Sequence, residues 1–422
     1  MSENFGSEIF GIEGDPTPDD FNAMPPYSKN EWTKYLPSTV GEVEICDVTL
    51  RDGEQTPGVA FSKEEKVDIA RMLDEVGIEI IEAGFPVVSQ GEKEAVRAIV
   101  DLGLNAKICC LARAVKGDID AVLDCDADMA GVFVGTSGLH LKYKHHKTQD
   151  EAISCAVEAL EYAKRHGLIV RFAAEDATRT DLDFLKRFYR AGEEAGADYV
   201  SIPDTVGIMT PATMRFLVGE IKNTVRIPVC VHCHDDLGNA VANTIAGAEA
   251  GAKQLHTTAN GIGERAGNAS LEEVLLNLRI QHGVEKYDLS RITELSKMVE
   301  RYSGIALAKN KAVVGDHAFA HESGIHIAAL LENDRTYELY SPELVGGKRE
   351  FILGKHSGCA ALCYMSRQMG FTLSKADANQ VLCEIKRLSE MKKSLHRDEL
   401  RELIAKTLSR SSDNSAYSPE NY

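Results

Sequence analysis

The feature that most constrains this chain is a regular alternation, beginning at Val43, of short apolar runs of β type with amphipathic stretches of helical period. The apolar runs lie at Val43 to Asp47, Ile78 to Ala83, Lys107 to Ala112, Ala130 to Gly135, Leu168 to Ala173, Tyr199 to Pro203, Val229 to His232 and Gln254 to Thr257. Between them, segments such as SKEEKVDIARMLDEVG, TQDEAISCAVEALEYAKRHG and DLDFLKRFYRAGEEAGA repeat apolar residues every three or four positions, and Gly closes the helical pattern. Strand and helix in alternation build parallel βαβ units. Eight units within residues 41–285 match a TIM (β/α)8 barrel in number and length better than an open doubly wound sheet.

The 422 residues exceed what one core usually holds, so an appendage is expected. After about Leu275 the pattern turns helical, and residues 286–422 read as a smaller helical C-terminal region. Residues 1–40, rich in Pro, Asp and Asn without periodicity, read as an N-terminal arm. The acidic start MSENFGSEIFGIEGDPTPDD has neither a basic nor an apolar signal region, which points to a cytoplasmic protein. No apolar run approaches the roughly 20 residues of a membrane span. The net charge of −18 disfavours non-specific binding to nucleic acid or anionic lipid. The ten cysteines include one CxxC, Cys230 to Cys233, without a second pair at zinc spacing, so buried reduced thiols are expected.

Active sites of TIM barrels sit at the C-terminal ends of the strands, and here polar residues follow nearly every apolar run. The first runs into Thr49, Arg51, Asp52, Glu54 and Gln55, the second ends at Glu82, the third reaches Arg113 and the fourth reaches Ser137 and His140. The fifth ends at Glu175 and Asp176, the sixth at Asp204 and Thr205, the seventh at His232 and His234, and the last loop carries Asn260, Glu264, Arg265 and Asn268. His232 and His234, two apart on a strand, face one side and can share a metal ion. Asp52 and Asn268 can add oxygens from adjoining loops. Two nitrogens with hard oxygens suit Zn, Mn, Co or Mg, with positions left for a chelating substrate. Arg51 beside that ion suits a reaction that develops negative charge on oxygen.

The segments DVTLRDGEQTPG, EAGFP, EDATRTD, VHCHDDLGNAVANT, NGIGERAGNA and FAHESGIH, in this order from about Val43 to at least Gly358, resemble the 2-isopropylmalate, homocitrate and citramalate synthases of the DRE-TIM metallolyase superfamily. The resemblance implies a metal-dependent Claisen condensation of acetyl-CoA with a 2-oxoacid, followed by thioester hydrolysis. It implies Asp52, His232, His234 and Asn268 as metal ligands, Arg51 at the keto oxygen and Thr205 at the substrate carboxylate. Glu175 and Glu264 match acidic site residues. His326 resembles a histidine that reaches the partner's site to help proton transfer, which implies a homodimer whose C-terminal regions cap each other's active sites.

Gln55, Arg113 and His140 join the expected substrate-binding set. For the oxoacid itself the residues point both ways. Phe85, Pro86, Val87 and Leu141 offer an apolar wall for a branched acid, whereas Arg113, His140, Lys142 and Lys144 offer cations for a second carboxylate, which cannot be buried bare. The members of the family with a lysine-pathway role carry an arginine where this chain has Leu141, which speaks against that subgroup. Only about 60 residues follow LGKHSG, so the long regulatory domain of many isopropylmalate synthases is not expected. The related lyases that cleave a 3-hydroxy-3-methylglutaryl thioester, and a non-catalytic binding protein on this scaffold, are the competing readings. The cysteine loop of those lyases is not found, and the intact Arg51, Asp52, His232, His234 and Asn268 oppose a silent scaffold.

Overall fold

The structure is a computed structural model that describes residues 40–391 and 396–415. All but the last residue of the expected N-terminal arm lies outside the described residues. Eight parallel strands close a barrel in sequence order: β1 (Glu44–Asp47), β2 (Ile80–Gly84), β3 (Lys107–Arg113), β4 (Met129–Gly135), β5 (Ile169–Glu175), β6 (Tyr199–Asp204), β7 (Val229–Cys233) and β8 (Gln254–Thr257). Closure is the β1–β8 ladder, in which Glu44 to Asp47 pair with Gln254 to Thr257. The eight expected runs all become strands, with ends that move by no more than two residues.

Around the barrel stand α1 (Lys63–Val76), α2 (Gln90–Val100), α3 (Lys116–Leu123), α4 (Gln149–Arg165), α5 (Leu182–Glu194), α6 (Pro211–Lys222), α7 (Ala240–Glu249) and α8 (Leu271–His282), followed by α9 (Ile292–Ser303). Their starts are set locally. Ser62 and Thr148 close capping boxes with Glu65 and Glu151, satisfying the first free N–H groups of α1 and α4. Strand alternation does the rest: in β5, Val170, Phe172 and Ala174 join the core between barrel and helices, while Arg171, Ala173 and Glu175 line the cavity at the barrel mouth.

Beneath that cavity the barrel is plugged by Cys46, Val48, Ile80, Cys109 and Met129. The outer core continues past residue 285 through Leu289, Ile292, Leu295, Val299, Val313, Val314, Phe319 and Val345. A second apolar core, with Ile327, Leu362, Val381, Ile385 and Ile404, is built by α10 (Gly324–Glu332), α11 (Cys359–Gln368), α12 (Lys375–Glu390) and α13 (Arg397–Ser415). This region also holds a short parallel pair, β9 (Ala320–His321) with β10 (Glu350–Phe351), inside stretches that break the helical pattern. Among the described residues, no helix is long and apolar enough to cross a membrane.

Candidate active site

The turn after β1 is shaped by its own backbone. The Val48 carbonyl accepts from the N–H groups of Arg51, Asp52 and Gly53 at 3.2, 2.8 and 3.1 Å. Asp47 Oδ1 accepts from Thr49 N–H (2.9 Å), and Thr49 Oγ1 accepts from Ala259 N–H (2.8 Å), which stitches this turn to the loop after β8. Arg51 and Asp52 are thereby presented to the mouth of the barrel.

There Asp52 meets the end of β7. Its Oδ2 lies 3.1 Å from His232 Nε2 and 3.8 Å from His234 Nε2, and the two Nε2 atoms are 3.2 Å apart. One ligand atom from each of the three residues falls within 4.8 Å of the others. An antiparallel bridge from His234 to Asn268 brings the last loop alongside. Asn268 donates its amide N–H to the Ile262 carbonyl (3.2 Å), so its oxygen is the atom left over. That Oδ1 and Asp52 Oδ1 are both buried without a hydrogen-bond partner.

Burial pushes the Asp52 carboxyl up, but Arg51 and the two histidines more than offset it and hold the group well below the usual carboxylate range. His234 is pushed down to about 4 by burial and by His232 beside it, so its ring is neutral near pH 7. Its Nδ1 lies 3.3 Å from the Gly267 carbonyl, and a proton donated there leaves the Nε2 lone pair facing Asp52 and His232. Converging lone pairs, an ionised carboxylate and two orphaned amide and carboxylate oxygens are a donor set that fits a divalent cation.

The cavity above this cluster has a volume of about 290 Å³, suited to a small acid. Arg51 reaches it with its guanidinium anchored by Glu82, which also holds Arg171 from β5. Thr205 lines it too; its Oγ1 accepts from Asp176 N–H at 2.9 Å, so its own O–H remains free to donate to a ligand. Beside it, Lys144 pairs with Glu175 from the end of β5 at 2.6 Å. Glu264, Arg265, Gln55, Phe85 and Ser201 also line it, together with His256 and the apolar Leu111, Phe133 and Pro203, and Arg265 is fixed by Asp236 at 2.7 Å.

Other expected residues fall elsewhere. Arg113 lies outside the cavity lining, because its guanidinium closes as a fork on Asp118 (2.8 and 2.9 Å) at a largely exposed position. Leu141 is no cavity wall: it packs with Ala152 and Phe184 beneath α4 and α5. Val87 is surface-exposed, and of the proposed wall only Phe85 reaches the cavity. His140 stands behind Glu175, with its ring nitrogens 3.7 Å from Glu175 and from Asp176. His326, on α10, is exposed and stacked on Tyr337 (4.0 Å), away from the cavity of its own chain. Glu82, taken as a strand-end residue, is fully buried inside the barrel.

Sequence reasoning missed Arg171 and His256. Both sit at inward positions of strands, in VRF and QLHT, where a charged or imidazole side chain interrupts a buried run. That interruption was the available signal.

The HMGL-like family model matches residues 42–299, and the model described as homocitrate synthase post-HMGL domain-like matches residues 313–393. The homocitrate synthase AksA of Methanosarcina mazei is 56% identical over 380 residues, covering 90% of this chain and 94% of that protein. The probable 2-isopropylmalate synthase of Methanopyrus kandleri is 52% identical, over 82% of this chain and 70% of that protein. The (R)-citramalate synthase CimA of Methanocaldococcus jannaschii is 49% identical, over 83% and 72%. Among solved structures, hydroxymethylglutaryl-CoA lyase from Pseudomonas aeruginosa superposes with a TM-score of 0.57 at 22% identity, over 64% of this chain and 95% of that one, a likeness of fold. By its barrel, its Asp52, His232 and His234 cluster and these matches, the chain belongs to the HMGL-like family, in the branch of the homocitrate, 2-isopropylmalate and citramalate synthases.

Proposed function

We propose that this chain condenses acetyl-CoA with a 2-oxoacid. In the balanced reaction the acetyl methyl carbon bonds to the keto carbon, the keto oxygen becomes a tertiary hydroxyl, and water cleaves the thioester to a carboxylate, free CoA thiol and a proton. The observation that carries the reading is the Asp52, His232 and His234 cluster with Arg51 beside it at the floor of a cavity of small-acid size. A divalent ion bound there supplies Lewis-acid activation of a chelated 2-oxoacid.

The protein's own residues do the remaining work. Arg51, held rigid by Glu82, faces the keto oxygen and stabilises the charge that grows on it without having to reorganise. Thr205 donates to the adjacent carboxylate. The methyl proton of an acetyl thioester is too weakly acidic for an unaided imidazole, so the base works with a carboxylate. Glu264 at the cavity rim and His326 from a second copy of the chain are assigned that pair, in a homodimer.

For the oxoacid we favour a dicarboxylic one. Arg171, Lys144 and Arg265 border the cavity in addition to Arg51; each already pairs with a carboxylate, and Lys144 and Arg265, paired at exposed positions with Glu175 and Asp236, can turn to a second substrate carboxylate. Relatives named homocitrate synthases match along nearly their whole length, and homocitrate divides chemically into an acetyl unit and 2-oxoglutarate.

The test supplies purified protein, Mn or Mg, and acetyl-CoA with glyoxylate, pyruvate, 2-oxoisovalerate, oxaloacetate or 2-oxoglutarate, and follows thiol release. Fastest release is expected with 2-oxoglutarate, and silence with all five would refute the synthase reading. His232→Ala and His234→Ala are each expected to lose bound metal by at least about 100-fold in affinity, and turnover with it. Wild-type metal content in both variants would refute the ligand assignment.

A further inference from the structure

We propose that Lys66 is a positioning residue of this site: a buried cation that holds the loop carrying Arg51 and Asp52 against the loop carrying Phe85. The inference rests on the reading of the cavity as the oxoacid site.

Lysine is rarely fully buried, yet the Lys66 side chain on α1 is 1% exposed. Its ammonium has three protons and three partners. It meets Leu50 O at 3.1 Å, Glu54 Oε2 at 2.7 Å and the Glu92 carboxylate at 2.9 and 2.7 Å. Leu50 and Glu54 flank Arg51 and Asp52 on either side in the chain, so one ammonium grips both ends of the segment that presents the site's arginine and its carboxylate ligand.

The third partner reaches the neighbouring loop. Glu92 Oε1, at the start of α2, also accepts from Phe85 N–H at 3.0 Å, and Phe85 lines the cavity. The approach is so close that a Cβ on Gly84 would lie 1.9 Å from that oxygen, so a larger residue there would have to push the Glu92 carboxylate aside. Glu54 spends its other oxygen on Phe61 N–H (2.9 Å), just before α1. The β1 and β2 loops are thus cross-linked through a single point, and the opposite side of the β1 turn is held by Thr49 to the β8 loop.

A buried ion cluster is a poor device for stability, because apolar side chains of equal volume serve as well or better. What it supplies is direction: fixed donors and acceptors that set where the neighbouring backbone sits. Metal ligands and transition-state donors lose much of their effect when their support shifts by about 1 Å.

The test compares wild type, Lys66→Met, and the neutral triple variant Lys66→Met, Glu54→Gln, Glu92→Gln. It uses thermal unfolding, calorimetric titration of the metal-free protein with Mn²⁺, and steady-state kinetics with 2-oxoglutarate. Lys66→Met should lower the melting temperature, since it leaves two half-buried carboxylates beside each other without their cation. The triple variant should recover most of that melting temperature while its Mn²⁺ Kd stays about 10- to 100-fold weaker and its kcat/KM falls by a similar factor. Wild-type Mn²⁺ Kd and kcat/KM in the triple variant would overturn the proposal.

If the triple variant fails to fold, Glu92→Gln decides. It loosens Phe85 but leaves the ties to Leu50 and Glu54, so KM for the oxoacid should rise several-fold with Mn²⁺ Kd unchanged. A lower melting temperature with unchanged KM would count against the positioning role. The Mn²⁺ titrations stand whether or not any oxoacid is turned over, so failure of the synthase reading is told apart by the thiol assay on wild type.

Discussion

Glu82 shows how much one side chain carries here. It is fully buried, and burial pushes its carboxyl up, yet Arg51 and Arg171 pull harder and hold it at about 2. Because this lies below its ordinary value of 4.5, the stabilisation is fully present above pH 4.5 and is lost as the pH falls toward 2. Glu82→Gln leaves Arg171 buried without its anion and Arg51 with Asp52 alone, and is expected to cost about 3–5 kcal/mol at pH 7. The gap to wild type should narrow between pH 4.5 and 2 in denaturant titrations; a gap independent of pH would show that the charge is not what matters. The same substitution frees Arg51, so residual folded enzyme should lose kcat more than oxoacid affinity. Glu82 was visible in the sequence as a polar residue ending an apolar run, but its two-sided pairing was not, because Arg171 lies 89 residues away and meets it only across the barrel interior.

At the scale of elements, β5 divides its labour by parity. Phe172, facing outward, stacks on Phe188 of α5 at 4.5 Å, while Arg171 and Glu175 face the cavity. Phe172→Ala is expected to cost about 3–5 kcal/mol through the cavity it opens, with oxoacid KM little changed in protein that remains folded. Thermal unfolding and kinetics on one preparation check both halves. The start of α1 offers a smaller change: Ser62 Oγ accepts from Glu65 N–H at 3.2 Å, and Ser62→Ala should cost about 1 kcal/mol. Strand positions were legible because a parallel barrel buries both faces of each strand and bounds the runs sharply. The roles of Leu141 and Arg113 were not. A short helical segment after β4, Gly138–His140 continued by a π-helical turn at Leu141–His145, swings Leu141 under the helices, and a local carboxylate, Asp118, captures Arg113. Side-chain direction in loops has no period from which to read it.

At the scale of the whole molecule, the question is whether a second copy completes the site. His326 lies away from its own chain's cavity, so a role in proton transfer requires it to act in another copy's site. Mixing inactive His326→Ala chains with inactive His234→Ala chains, then allowing exchange, should restore up to about a quarter of wild-type activity, since half the dimers are mixed and each holds one intact site. No recovery after demonstrated exchange would place the base within one chain. The sequence alone determined the eight-unit barrel, because local period and burial are written residue by residue. It also marked Asp52, His232, His234 and Asn268 as a set, because strand ends in a barrel converge whatever the packing details. Tertiary structure decided the rest: which cations face the cavity, that Glu82 joins two arginines, and that Lys66 ties two loops. Those contacts join residues from different strands and helices, and their geometry exists only once the barrel has closed.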